Sequence, residues 1–321
     1  MNTILFNEKS GLLRSGWRAV IFLVVYGLFT ALLAVFTQML LSAMHINRGR
    51  GYAVHFVTNA LVSLAPAIVI GWLCGKYLES LPYRTIGAAF SRGWLKHLSY
   101  GLVIGAFTLT LAVAIALAVG GLNFSINESS WLDIFSSAVK SFAVFAVAAA
   151  FEEALFRGYL LQTFARSNLA WLAILVTSAF FGAVHLGNPG ANPISTANTI
   201  LAGIWFSMAY LKTRDLWFVW GLHLMWNWMQ GSFFGIEVSG LTAISSTPLL
   251  REIDTGPTWL TGQTYGVEGG IVCTIAIAIS IAAIYLLPNL KPDPEILALN
   301  SLGSQPPGTQ ALSPATAVPP A

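Results

Sequence analysis

The chain has 321 residues, 56% of them hydrophobic and only 9% charged, with a net charge of +3 and a mean hydropathy of +0.71. Soluble domains carry about a quarter of their residues as charges, so this composition excludes an ordinary soluble protein and describes an integral membrane protein. The small, scattered positive charge reports orientation rather than nucleic-acid binding. Two cysteines, Cys74 and Cys273, both in apolar stretches, supply neither a disulfide framework nor a multi-cysteine metal site.

A membrane-spanning helix needs about 20 mostly apolar residues. In chain order eight stretches qualify: 17–43, 52–75, 97–119, 134–154 with a helical extension to 166, 169–187, 196–212, 216–233 and 268–288. The first is too long for the core of a signal peptide and counts as a span. The expected fold is all-α, a polytopic bundle of about eight transmembrane helices over residues 1–288. From 289 to 321 the chain is polar and rich in proline, and is expected to be a disordered tail. The connection at 234–267 is the one long loop; such loops are functional or disordered, and this one suits a lid.

Basic residues divide unequally among the connections. The amino terminus has Lys9, Arg14 and Arg18, and Lys76, Arg84, Arg92, Lys96, Arg166, Lys212, Arg214 and Lys291 fall in alternate connections after the first span. Arg48, Arg50 and Arg251 fall on the other side. The positive-inside rule then places both termini in the cytoplasm, and the expected location is the plasma membrane of a bacterium. The eleven tryptophans read as anchors at the membrane interface.

Inside the spans stand Lys140, Glu152, Glu153, Arg157, His185 and His223, with His55 and His97 nearer helix starts. A charge at bilayer depth costs about 2.5–3.5 kcal/mol even on insertion scales, so such groups are functional candidates. Glu153 and Arg157 are four apart and can pair on one helix face, whereas Glu152 is rotated by about 100° and has no such partner. The unpaired carboxylate is then suited to accept a proton. The plainer alternative is that both glutamates pair with Arg157 and Lys140 to hold helices together, although buried ion pairs contribute little net stability.

Phe181 and His185 are four apart in "FFGAVHLGN", and the turn near Asn168 lies 16 residues after Glu152 and 17 before His185, which brings the two level in an antiparallel hairpin. His223 and Asn227 share one helix face in "GLHLMWNW". Counted from their own turns, Glu152 and His185 lie about 24 Å away and His223 about 14 Å, so a common level requires the first hairpin to project further.

An acid, two imidazoles and an amide around one cavity suit amide hydrolysis. Glu152 and His185 would orient and deprotonate water, while His223 and Asn227 would donate hydrogen bonds to the oxyanion. No serine or cysteine is set beside a histidine as a covalent nucleophile. A metal version uses Glu152, His185 and His223 as ligands of a zinc ion with an open position. The metal-free version is favoured because Asn227 is a poor zinc ligand and a good oxyanion donor.

The motifs EExxxR (Glu152, Glu153, Arg157), FxxxH (Phe181, His185) and HxxxN (His223, Asn227) follow one another on successive helices. In this the chain resembles the CPBP family: intramembrane CAAX prenyl proteases and bacteriocin-processing or self-immunity proteins, also called Abi or Rce1-like proteases. The resemblance covers about residues 130–232. It implies an eight-helix membrane endopeptidase whose site opens to the cytoplasm, acting on a membrane-associated peptide or protein. On this chain it implies that Glu152 and His185 activate water, that His223 and Asn227 hold the oxyanion, and that Glu153 and Arg157 support them. Members of the family are described both as metallopeptidases and as glutamate-dependent enzymes. The alternatives are a non-catalytic bacteriocin self-immunity or membrane binding protein, and a proton-coupled transporter, against which the lack of internal repeats counts.

Overall fold

A computed structural model describes residues 4–8, 10–46, 52–241, 244 and 246–302. Lys9, Arg48, Arg50 and the tail beyond 302 fall outside them. Helices dominate, in the order α1 (Ser15–Ala43), α2 (Tyr52–Glu79), α3 (Trp94–Ala118), α4 (Trp131–Glu153), α5 (Leu161–Ala165), α6 (Ala170–Val184), α7 (Pro193–Thr213), α8 (Leu216–Trp228), α9 (Thr258–Thr261), α10 (Ile271–Leu286) and α11 (Pro294–Leu302). π-Helical segments at Ala154–Leu160 and Met229–Phe233 extend α4 and α8.

All eight expected stretches are helical, but they differ in reach. Five helices, Ser15–Ala43, Val54–Glu79, Trp94–Ala118, Trp131–Ala165 and Pro193–Thr213, are long and apolar enough to cross a membrane; Ala170–Val184 and Ile271–Leu286 are apolar but shorter. At 1.5 Å per residue, the 15 residues of α6 fall short of the ~30 Å hydrocarbon core. Leu28, Leu32, Phe36 and Met39 of α1 are exposed, a continuous apolar face of the kind lipid covers.

Local signals fix the helix ends. Asn192 opens α7 with a capping box to Ser195 and Pro193 in the first turn, and Asp215 caps α8 by accepting from the Trp217 N–H. Arg214, at φ 54, makes the tight turn between α7 and α8. Asp215 also binds His97 Nδ1 at 2.7 Å, tying the starts of α3 and α8 together.

The bundle has two ends. One carries the start of α1, the α2–α3, α5–α6 and α7–α8 connections and the end of α10, with every described basic residue outside the spans except Arg251. This basic end is closed by a buried network in which Glu79 accepts from Arg18 and from Arg166 at 2.7 Å. The opposite end carries a feature the all-helical expectation lacked. Strands β1 (Leu122–Ile126) and β2 (Leu250–Asp254) pair antiparallel, with Phe124 opposite Glu252. Thus part of the 234–267 loop is a strand; at this sheet end Leu122 is fully buried.

The described start of the expected tail is in part ordered. Pro294–Leu302 is helical because it finds partners at the basic end: Ile296 and Asn300 are buried, Glu295 pairs with Arg84, and Arg166 Nη1 donates to Asn300 Oδ1 at 3.4 Å.

The closest approach of one long helix to another joins α3 to α8. A Cβ on Gly101 would stand 2.1 Å from the Phe218 carbonyl oxygen and one on Gly105 2.2 Å from that of Leu222, a close approach of helix backbones that only small residues permit. Gly105→Val is expected to destabilise the fold by at least about 1–3 kcal/mol, read as a lower unfolding temperature in detergent. Gly75→Ala, where nothing lies within 4 Å, should leave that temperature unchanged or slightly raised.

On β2, the Glu252 carboxyl is pushed up to about 8, chiefly by burial and then by the charges of Glu237 and Asp254. An acid that holds its proton more tightly when folded stabilises the native state below its ordinary value and loses that contribution as pH rises. Stability should therefore fall between pH 4.5 and about 8, and thermal unfolding of Glu252→Gln across that window should show a shallower fall.

Candidate active site

The site is built where α4 gives way to its π segment. Glu152 and Glu153 are the last residues of α4, and Ala154–Leu160 are all buried, with Gly158 at ψ −108 bending the chain. π-Segments often mark functional positions. Here the wide turn carries Arg157 into the centre of the bundle, where its side chain is wholly buried.

Arg157 is held through both terminal nitrogens of its guanidinium. Its Nη1 donates to Glu153 Oε1 at 3.1 Å and its Nη2 to the Gly203 carbonyl at 3.1 Å. Its guanidinium lies over the rings of Phe181 and Phe206, at 4.7 and 5.0 Å from their centroids, an arrangement in which the ring faces attract the cation. The carbonyl is within reach because α7 approaches α6 closely: a Cβ on Gly203 would stand 2.7 Å from Ser178 Cα.

Glu153 serves a second partner. His223 Nδ1 lies 2.8 Å from Glu153 Oε1. A carboxylate only accepts, so Nδ1 carries the proton and Nε2 turns to the other side of the ring. Phe206 stacks on His223 with centroids 4.6 Å apart and planes at 22°. Nε2 faces Glu152 Oε2 at 3.9 Å, too long for a hydrogen bond. That oxygen is buried without a hydrogen-bond partner among the described residues.

His185 caps the C-terminal end of α6. Its Nδ1 lies 2.7 Å from the Phe181 carbonyl oxygen, so by the same reasoning Nδ1 carries hydrogen, and in the neutral ring Nε2 is the acceptor. Its ring packs on Phe181 at 4.7 Å.

Glu152, His185, His223 and Asn227 all line one cavity with about 80 Å³ of solvent-sized space. A single water needs roughly 10–15 Å³, so several fit. Lys140 is on an exposed face of α4, and its pairing with the glutamates, the plainer reading of the sequence, is not what the structure builds.

Sequence reasoning missed several walls of this cavity. Phe206 carries no motif of its own. Trp205 and Trp226 line the cavity and are 1% and 3% exposed, so these two tryptophans are interior residues and not the interface anchors expected. Glu268 also lines it, accepting from Trp226 Nε1 at 2.9 Å and from the Ser239 backbone and hydroxyl at 2.6 and 2.7 Å. Its signal was present: a carboxylate at the very start of an apolar span.

The residues do not fit a zinc ion as arranged. Among the described residues no three His, Cys, Asp or Glu side chains are gathered so as to hold a metal. His223 and His185 each hold Nδ1 on an acceptor and leave Nε2 uncommitted, as metal-ligating histidines also do, so it is the spacing of the side chains and not their tautomers that counts against the metal.

Because Arg157 compensates a wholly buried carboxylate, Arg157→Met is expected to cost about 3–5 kcal/mol, measured by thermal unfolding in detergent. Replacing Lys140 by Met should change the unfolding temperature little.

Residues 134–229 match the family described as type II CAAX prenyl endopeptidase Rce1-like. The chain is also 26% identical over 149 residues to the uncharacterized protein YyaK of Bacillus subtilis (strain 168), an alignment covering 46% of each chain. The match therefore spans about half the length of that relative.

Proposed function

We propose, from the match of residues 134–229 to the Rce1-like, CAAX-protease family, that this integral membrane protein is an intramembrane endopeptidase that hydrolyses a peptide bond with a water molecule activated by Glu152 and His185. The observation that carries the reading is the division of labour between adjacent glutamates. Glu153 commits its Oε1 to Arg157 and His223 and does not line the cavity, while Glu152 presents an unengaged oxygen to the same cavity as His185, His223 and Asn227.

The chemistry follows from the tautomers. Glu152 and the bare Nε2 of His185 are the two acceptors available to orient water and take its proton. As water adds to the scissile carbonyl, charge develops on its oxygen. Asn227 donates to that oxygen from its side-chain amide, and His223 donates from Nε2 when the ring is a cation, a charge that Glu153 balances on Nδ1. Collapse of the tetrahedral adduct expels the amine, which takes up the proton held at the Glu152–His185 pair. No step needs a covalent nucleophile or a metal.

The family resemblance extends to substrate only as a class: a peptide held at the membrane. Peptide-library cleavage by the purified protein is the test. Glu152→Gln is expected to lower kcat by about 10²–10⁴-fold with the unfolding temperature unchanged, and Asn227→Ala by about 10²–10³-fold. Glu153→Gln should lower the unfolding temperature and reduce cleavage less than Glu152→Gln. Equal losses from the two glutamates would contradict the division, and a non-catalytic immunity or binding protein would show no cleavage for any variant to abolish. Chelator is expected to leave the rate unchanged.

A further inference from the structure

The cavity has a direction. Its outer walls come from the sheet end: Asn188 between α6 and α7, Val238 and Ser239 in the segment after α8, and Glu268 before α10. No described residue of the basic-end connections lines it. Towards the basic end it is floored by buried side chains, Arg157 and Phe206 first, then Tyr159, Gln162 and Tyr210, and finally the Arg18–Glu79–Arg166 network. Water and a peptide therefore reach Glu152 from the sheet end and meet a packed interior from the other.

The two ends also differ in charge. Arg14, Arg18, Lys76, Arg84, Arg92, Lys96, Arg166, Lys212, Arg214 and Lys291 are at the basic end. Described residues give the sheet end Arg251 alone, with Arg48 and Arg50 in the undescribed α1–α2 connection. Short connections rich in lysine and arginine stay in the cytoplasm. The two expectations drawn from the sequence, cytoplasmic termini and a site open to the cytoplasm, cannot both hold in this fold, because the described chain before α1 and α11 stand at one end of the bundle and the outer walls of the cavity at the other.

We propose that the cavity opens on the extracytoplasmic face, so that the substrate is a peptide segment of a secreted or membrane-anchored polypeptide lying outside the membrane. The inference rests on the peptidase reading of the cavity. A carboxy-terminal peptide displayed in the cytoplasm would meet the sealed end.

Single-cysteine labelling tests it independently of activity. Cys74 and Cys273 are buried, so the parent chain supplies the background. Ser125 on β1 and Lys291 beyond α10 are exposed at opposite ends. With a membrane-impermeant maleimide, Ser125→Cys should label in right-side-out vesicles and lose that label in inside-out vesicles, while Lys291→Cys should do the reverse. Thr255→Cys, also exposed at the sheet end, should repeat the Ser125→Cys pattern. The opposite pattern, or equal labelling of one variant from both sides, overturns the proposal. Cleavage by detergent-solubilised protein and its loss in Glu152→Gln report the peptidase reading separately, so the two can fail apart.

Discussion

One hydrogen-bonded ion pair organises the centre of this protein: Glu153 shared between Arg157 at 3.1 Å and His223 at 2.8 Å. It links α4 and its π segment to α8, and through Arg157 it reaches the Gly203 carbonyl of α7 and the ring of Phe181 on α6. Four elements are thereby set against one another by a single buried cation and anion. Removing either partner leaves the other charged in a medium that cannot solvate it. That cost explains why the flanking packing is so dense: Arg157 has aromatic faces on two sides, and His223 is stacked against the same Phe206 that covers the guanidinium.

The asymmetry between neighbouring carboxylates follows from this pair. Adjacent residues on a helix point about 100° apart, so once Glu153 faces the pair, Glu152 must face elsewhere, and elsewhere is the cavity. The same pair fixes His223 in one tautomer, and the Phe181 carbonyl fixes His185 in the corresponding one. Both imidazoles thus present Nε2 away from their structural bonds, without which neither could serve the chemistry proposed. The shortness of α6 belongs to this design: it ends at Val184, placing His185 where the helix stops rather than along its side.

Much of this was legible in the sequence because charge is so costly in an apolar span. The spacing of Glu153 to Arg157 and of His223 to Asn227 is local, and helical geometry translates it directly into shared faces. What was not legible required geometry that local spacing does not contain. The height comparison between Glu152 and His223 treated the helices as straight rods, whereas the π segment and the bend at Gly158 break the long α4–α5 helix. The two-stranded sheet pairs residues 122–126 with 250–254, a contact across more than a hundred residues in segments whose strand pattern is short. Phe206 and Trp205 looked like any apolar span residues; only the fold reveals which face they occupy. Pro294–Leu302 reads as polar and proline-flanked, and its helix owes its order to Arg84 and Arg166, which the tail itself does not encode.

The most direct test of the central claim is an experimental structure with a phosphinic peptide bound as a mimic of the tetrahedral adduct. One phosphinate oxygen should lie within about 2.7–3.1 Å of Asn227 Nδ2 and His223 Nε2, the other facing Glu152 and His185 Nε2, with Glu153 still bonded to Arg157 and His223. Phosphinate seated outside the cavity, or Glu153 facing the ligand while Glu152 pairs with Arg157, would contradict the account.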